Sequence, residues 1–217
     1  SLLRDEDKAS ECLRMMEEVI LEYPNFPGGH TLVGLAQLRL SNPAESVVAL
    51  RRAEALNPLD ATNPFYLALI YHKRQRWDDT AQLLQRALRL DPFHLRALKL
   101  LGEVWLRTRR FKEAAALHDR LTILQPDDPA HLRMAARAYH AGGQKQQAEE
   151  RYLRLVKVDP ADFEANLRLA TLLLERHRAG AGHGTLLKKA RQHASAAAKI
   201  RKRDPELKKV QAELALE

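Results

Sequence analysis

The sequence predicts an all-α chain of stacked antiparallel helix pairs, a right-handed solenoid rather than a single round core. Three observations lead there. Pro24, Pro58, Pro92, Pro126 and Pro160 follow one another at intervals of 34 residues. With proline at about 5% of residues, four such coincidences arise by chance on the order of once in a hundred thousand. Between the prolines, apolar residues recur at three- and four-residue steps, the spacing that puts them on one helix face. Each interval also holds a polar or glycine break near its middle, so it contains two helices.

The stretch Leu95–Asp128 shows the unit most clearly. Leu98, Leu101 and Trp105 share one helix face. After the break Thr108-Arg109-Arg110, a second stripe is formed by Phe111, Ala114, Leu117, His118, Leu121 and Leu124. Gly102 and Ala114 are small where two helices would cross, which permits close approach. Pro126 ends the second helix, because proline lacks the amide proton and disfavours helix just before itself.

Taken in order, the chain opens inside a repeat: residues 1–26 are expected to hold a second helix only, over Asp7–Glu22, with Leu13, Met16, Val19 and Ile20 as its apolar face. Full repeats are expected at 27–60, 61–94, 95–128 and 129–162. Asn42-Pro43 and Gly142-Gly143 mark inter-helix turns, and Pro27, Pro64 and Pro129 sit near helix starts, where the missing amide costs nothing. The repeat at 163–205 begins with a helix from Phe163 to His177. It then carries a glycine-rich insertion at about 178–184, after which Thr185 is expected to cap a helix running to about Arg203. A last helix over 206–217, with Leu207, Val210 and Leu214 in one stripe, is expected to cap the stack.

Composition fits this picture. Of 217 residues, 45% are hydrophobic and 29% charged, as in amphipathic helices with a linear core. No run of eighteen apolar residues is present, so no membrane span is expected. Cys12 is the one cysteine. It occupies the place held elsewhere by Ser46, Thr80, Ala114 and Ala148, which reads as packing rather than chemistry. The net charge of +8 is uneven: residues 176–209 hold eleven Lys or Arg against Asp204 and Glu206, a net of +9, leaving −1 for the rest.

These motifs resemble the tetratricopeptide repeat family, a 34-residue helical hairpin with set aromatic, Leu-Gly, Tyr, Ala and Pro places. Leu98-x2-Leu101-Gly102-x2-Trp105, then Ala114-x3-His118 and Pro126, is the nearest copy in this chain. His30-x2-Val33-Gly34, Leu67-Ala68-x2-Tyr71 and Ala135-Ala136-x2-Tyr139 with Ala148-x3-Tyr152 are looser copies. The resemblance implies a non-catalytic scaffold whose inner groove, lined by first-helix residues at the second, fifth, ninth, twelfth and thirteenth places, holds a segment of a partner protein. Mapped here, the groove comprises Leu35, Leu38, Phe65, Leu69 and His72 in the early repeats. The later repeats supply Arg96, Lys99, Arg133, Arg137, His140 and Arg168, with Glu103 and Glu164 between them. An apolar floor (Leu35, Leu38, Phe65, Leu69) would then adjoin a cationic one (Lys99, Arg133, Arg137, Arg168). The expected ligand has hydrophobic anchors at one end and Asp or Glu at the other. The alternative is that the arginines form a solvated face and Phe65 fills a gap between repeats.

Some members of the family clamp the carboxylate tail of heat-shock chaperones with a Lys-Asn-Asn-Lys-Arg set. Thr31, Leu35, Phe65 and Leu69 occupy the first such places here, and Glu103 stands where an asparagine belongs, so that function is not expected. No cofactor is expected. His72 and His140 share one repeat place, and His177, His183 and His193 suit no standard zinc spacing. The glycine-rich loop lacks the GK[ST] ending of a phosphate-binding loop, and no nucleophile sits in a recognisable elbow. Two other partners are alternatives: another copy stacking on the open N-terminal end, and nucleic acid or acidic lipid on the basic 176–209 region.

Overall fold

The computed structural model describes residues 2–126, 128–180 and 184–217, and for residues 2–5 the backbone alone. The described residues form twelve α-helices. They divide into two compact units, residues 1–104 and 105–217.

The first unit contains α1 (Leu2–Glu22), α2 (Pro27–Arg39), α3 (Pro43–Leu56), α4 (Thr62–Lys73), α5 (Trp77–Leu90) and most of α6 (Leu95–Arg107). Each helix from α1 to α5 packs on the next. The second unit contains α7 (Phe111–Leu124), α8 (Pro129–Ala141), α9 (Lys145–Val158), α10 (Phe163–Arg178), α11 (Thr185–Ile200) and α12 (Pro205–Ala215). Here too the helices pack in chain order, and α12 also touches α10.

One turn recurs inside the pairs. Ser41, Gln75, Arg109 and Gly143 have φ of 63°, 57°, 61° and 75°. In each case the next amide reaches back five residues: Asn42 to Gln37, Arg76 to Tyr71, Arg110 to Trp105 and Gln144 to Tyr139, at 2.7–3.0 Å. This is the left-handed C-cap that satisfies carbonyls left over at a helix end. Pro43 then opens α3, as Pro27 opens α2, Pro129 opens α8 and Pro205 opens α12.

Small residues set the spacing within the pairs. Gly34, Ala68, Gly102, Ala136 and Ala170 are all buried, as are Ser46, Thr80, Ala114 and Ala148. Ser46 Oγ donates to the Gly34 carbonyl at 2.6 Å, and a methyl on Gly34 would lie 2.6 Å from Leu50 Cγ. Cys12, at the corresponding place of α1, is half-buried. In the second unit the core runs from Leu132, Tyr152, Leu155 and Leu169 to Leu173, Leu187, Leu207, Val210 and Leu214.

Three local expectations change. The first helix runs unbroken from Leu2 rather than starting at Asp7. Thr185 is the first residue of α11 and caps nothing: the cap position is Gly184, at φ 61°. This helix also stops at Ile200, short of Arg203. Asp204 ends the turn that follows, accepting from the amides of Glu206 and Leu207. Of the glycine-rich insertion, residues 181–183 lie outside the described residues, His183 among them. His193 Nδ1 lies 2.9 Å from Asn166 Oδ1, while His177 lies 3.9 Å from Glu217. Among the described residues, no three His, Cys, Asp or Glu side chains are grouped to hold a metal, and no helix is long and apolar enough to cross a membrane.

Candidate peptide-binding groove

The first helices of successive pairs, α2, α4 and the start of α6, share one face of the first unit. Leu35, Leu38, Leu69, His72 and Arg96 come together there with Arg39, Tyr66 and Lys73 to line an open groove of about 560 Å3. The spacing explains the set: Tyr66, Leu69 and Lys73 follow at three- and four-residue steps along α4, as Leu35, Leu38 and Arg39 do along α2. Thr31 Oγ1 donates to Asn63 Oδ1 at 2.9 Å and ties α2 to α4.

Phe65 is not part of that floor, which corrects the sequence reading. Its ring is 2% exposed, because one residue along a helix rotates the side chain by about 100°. The ring lies 4.5 Å from His94 and 5.3 Å from Tyr66, and the Arg96 guanidinium covers it at 4.9 Å. Arg96 therefore has two roles, shielding Phe65 and lining the groove.

The groove has a one-sided charge. Arg39, Lys73 and Arg96 line it, and among the described residues no carboxylate does. His72 meets Trp77 edge-on and lies 3.8 Å from Glu103, outside the lining. The groove thus offers leucine and tyrosine surface beside three cations, an arrangement suited to apolar anchors and a nearby carboxylate.

The second unit differs from the expectation more sharply. Arg133, Arg137 and Arg168 do lie around one cavity, of about 620 Å3, but so do Asp159, Asp162, Glu164 and Glu206. Arg133 Nε donates to Asp162 at 2.6 Å, and its Nη2 lies 3.6 Å from Asp159. Arg137 is bidentate to Glu164, and Arg168 pairs with Glu206. The anticipated cationic floor is neutralised by the chain itself. Asp162 is buried and also caps α10 by accepting from Ala165, so Arg133 is part of the packing. His140 is half-buried, and burial followed by the Arg168 charge pushes its pKa down. Lys99 is exposed and does not line the first unit's groove.

With this geometry in view, relationship to known proteins can be assigned. Residues 33–94 and 73–129 match the tetratricopeptide repeat family, and residues 130–162 match a second description of the same repeat. The chain belongs to the tetratricopeptide repeat family. It is 38% identical over 77 residues to the TPR repeat-containing thioredoxin TTL4 of Arabidopsis thaliana, a match covering 36% of this chain and 11% of that protein. It is 32% identical over 97 residues to tetratricopeptide repeat protein 37 of Xenopus laevis, covering 42% of this chain and 6% of that one. The matched stretch is thus a small fraction of either relative.

The fold is that of tetratricopeptide repeat solenoids. It resembles YrrB, described as a TPR protein with an unusual peptide-binding site, with TM-score 0.71, 14% identity, and coverage of 91% of this chain and 97% of that one. It also resembles the structure of Naa15/Naa10 bound to HypK-THB, with TM-score 0.72, 15% identity, and coverage of 99% of this chain and 34% of that one. At these identities the likeness is one of fold. A fold of this type is that of a protein–protein interaction scaffold.

Two features of the groove escaped the sequence reading. Arg39 and Lys73 stand at the thirteenth repeat place, which the family pattern includes among groove positions, so a signal for them was present. Tyr66 occupies a sixth place and had no such signal.

Proposed function

We propose that this chain is a non-catalytic scaffold that captures a segment of a partner protein in the first unit's groove. The segment would carry a leucine-sized or aromatic anchor with Asp or Glu close by. The supporting observation is the lining itself: Leu35, Leu38, Tyr66 and Leu69 beside Arg39, Lys73 and Arg96, with no carboxylate. The apolar contacts supply most of the affinity, since burying a Leu or Phe side chain contributes about 1.5–3 kcal/mol. The cations set orientation and on-rate. The experiment is a titration of a labelled peptide carrying leucine and glutamate against the wild-type chain and the Arg39→Glu/Lys73→Glu variant. Both residues are exposed, so the variant folds, and it should slow association, most strongly at low salt. Equal association rates would overturn the assignment.

A second reading rests on a different observation. In the second unit Arg133, Arg137, Arg168, Arg176 and Arg178 all pair with carboxylates. Lys188, Lys189, Lys199, Lys202, Lys208 and Lys209 are exposed and make no ion pair among the described residues. That surface would bind a polyanion, nucleic acid or an acidic lipid headgroup. Affinity for labelled duplex, single strand or acidic vesicles should then fall steeply with salt; no binding at low salt retires this reading.

A further inference from the structure

A second cavity in the first unit lies on the side opposite in chemistry to the groove. Between α1, α2 and α3 an open space of about 530 Å3 is lined by Ile20, Leu21, Val33, Val48 and Ala49. Leu21 is 85% exposed and Val48 71%, so two aliphatic side chains stand nearly bare beside an apolar hollow.

The repeat supplies an internal comparison. Thirty-four residues on from Ile20 and Arg52 stand Glu54 and Arg86. Between α3 and α5 these two form an ion pair at 3.0 Å, and Glu54 is also held by Arg51 at 2.8 Å. The groove between α7 and α9 is crossed in the same way: Arg151 reaches Asp119 at 2.8 Å, and the Tyr139 hydroxyl donates to it at 2.7 Å. Between α1 and α3 no such ion pair forms among the described residues, and Ile20 stands at the place of Glu54. Arg52 turns instead to Asn25 Oδ1 at 3.1 Å. Val48 has no large apolar counterpart, since Gln82, Ala116 and Glu150 follow it at the repeat interval.

The charge around the hollow says what would cover it. Glu17 and Glu45 line it, are exposed, and their carboxylates make no hydrogen bond or ion pair among the described residues. Of the lining residues Arg52 is tethered, and His30 Nε2 is engaged with the Pro24 carbonyl at 2.8 Å. An aliphatic hollow with two unengaged carboxylates in its lining against one arginine that is held by Asn25 is complementary to an aliphatic anchor flanked by cations.

We propose that this hollow is a second docking site, for a protein segment carrying a bulky aliphatic anchor flanked by Lys or Arg. It is separate from the groove and selects the opposite charge. One chain could therefore hold two unlike segments, an acidic one in the groove and a basic one between α1 and α3.

The test uses fluorescence anisotropy with a labelled amphipathic peptide of leucine and lysine, and a control peptide with glutamate at each lysine. On the Arg39→Glu/Lys73→Glu background, used for every comparison with the control because the groove takes leucine–glutamate segments, the chain should bind the first peptide and not the second. The Leu21→Ser/Val48→Ser variant changes exposed positions only, so its helix content should match wild type, and it should bind the leucine–lysine peptide about tenfold or more weakly. Glu17→Lys with Glu45→Lys should also lose that peptide and gain the control. Arg39→Glu/Lys73→Glu, which tests the groove, should leave this binding unchanged, so the two proposals fail separately. Undiminished binding by the double serine variant overturns the proposal. Equal binding of both peptides on the groove-variant background does so too, as does sedimentation showing a dimer that the Leu21→Ser/Val48→Ser variant dissociates.

Discussion

Gly34→Ala separates packing from helix propensity, because the two predict opposite signs. In a helix interior the change should stabilise by about 1 kcal/mol, since alanine loses less backbone entropy on folding. Here the added methyl would lie 2.6 Å from Leu50 Cγ, 2.8 Å from Cδ2 and 3.3 Å from the Leu50 amide nitrogen. Leu50 is fully buried and has nowhere to turn, and the 2.6 Å bond from Ser46 to the Gly34 carbonyl holds the two helices together. Overpacking of this kind costs about 1–3 kcal/mol. The equivalent places in the next repeat hold Ala68 and Leu84, both fully buried, so the fold accepts a methyl there and the cost should fall in the middle of that range. Net destabilisation should be about 1 kcal/mol once propensity is subtracted from the packing cost. Urea unfolding followed by circular dichroism measures it. Repeating the substitution on a Leu50→Ala background removes the obstructing atoms, and there Gly34→Ala should stabilise by about 1 kcal/mol. Stabilisation in the wild-type background would refute the reasoning.

Three further outcomes are expected. His118 is buried, stacked 6.2 Å from His131, and among the described residues neither ring nitrogen has a hydrogen-bond partner; burial, then the neighbouring His131, push its pKa from 6.5 down to about 4. The unfolded chain therefore binds more protons between those values, so stability should fall as pH drops through that window, by up to about 3 kcal/mol. His118→Leu, which copies Leu50 and Leu84 at the same repeat place, should flatten the pH dependence of the urea midpoint; an unchanged slope would count against it. At the left-handed turns, Gly143→Ala should cost about 1 kcal/mol and Arg109→Gly should be neutral or stabilising, read from thermal melts. The Gly143 site is open, with no atom within 4 Å of an added Cβ, so only the backbone is tested. Arg133→Ala strips the buried Asp162 of its partner and should destabilise by about 1–3 kcal/mol, while leaving association of the acidic peptide unchanged; a slowed on-rate would restore Arg133 to the binding surface.

The helical design was legible because its signals are local. Pro126 can be read as a helix stop with no knowledge of neighbours, and Leu98, Leu101 and Trp105 declare a face by spacing alone. The left-handed turn was legible only at Gly142-Gly143. Ser41, Gln75 and Arg109 adopt the same conformation, but their side chains carry no preference strong enough to announce it. The site was less legible. Leu35, Leu38, Leu69, His72 and Arg96 do share a groove, while Phe65, one residue from Tyr66, turns inward.

By itself the sequence determined that the chain is helical, that its helices pair, and where the Lys and Arg excess lies. Those properties follow from residue order, through proline geometry and the 3.6-residue period. Only tertiary structure decided which charges remain free. Arg133 and Asp162 are 29 residues apart and Arg168 and Glu206 are 38 apart, so summing charge along the chain could not show that these arginines are neutralised. The same holds at the hollow between α1 and α3. Leu21 and Val48 look like ordinary members of apolar stripes, and only the packing of α1, α2 and α3 leaves them exposed beside an open space. Charge count is a property of composition, whereas charge available to a partner depends on which side chains folding brings within reach of one another.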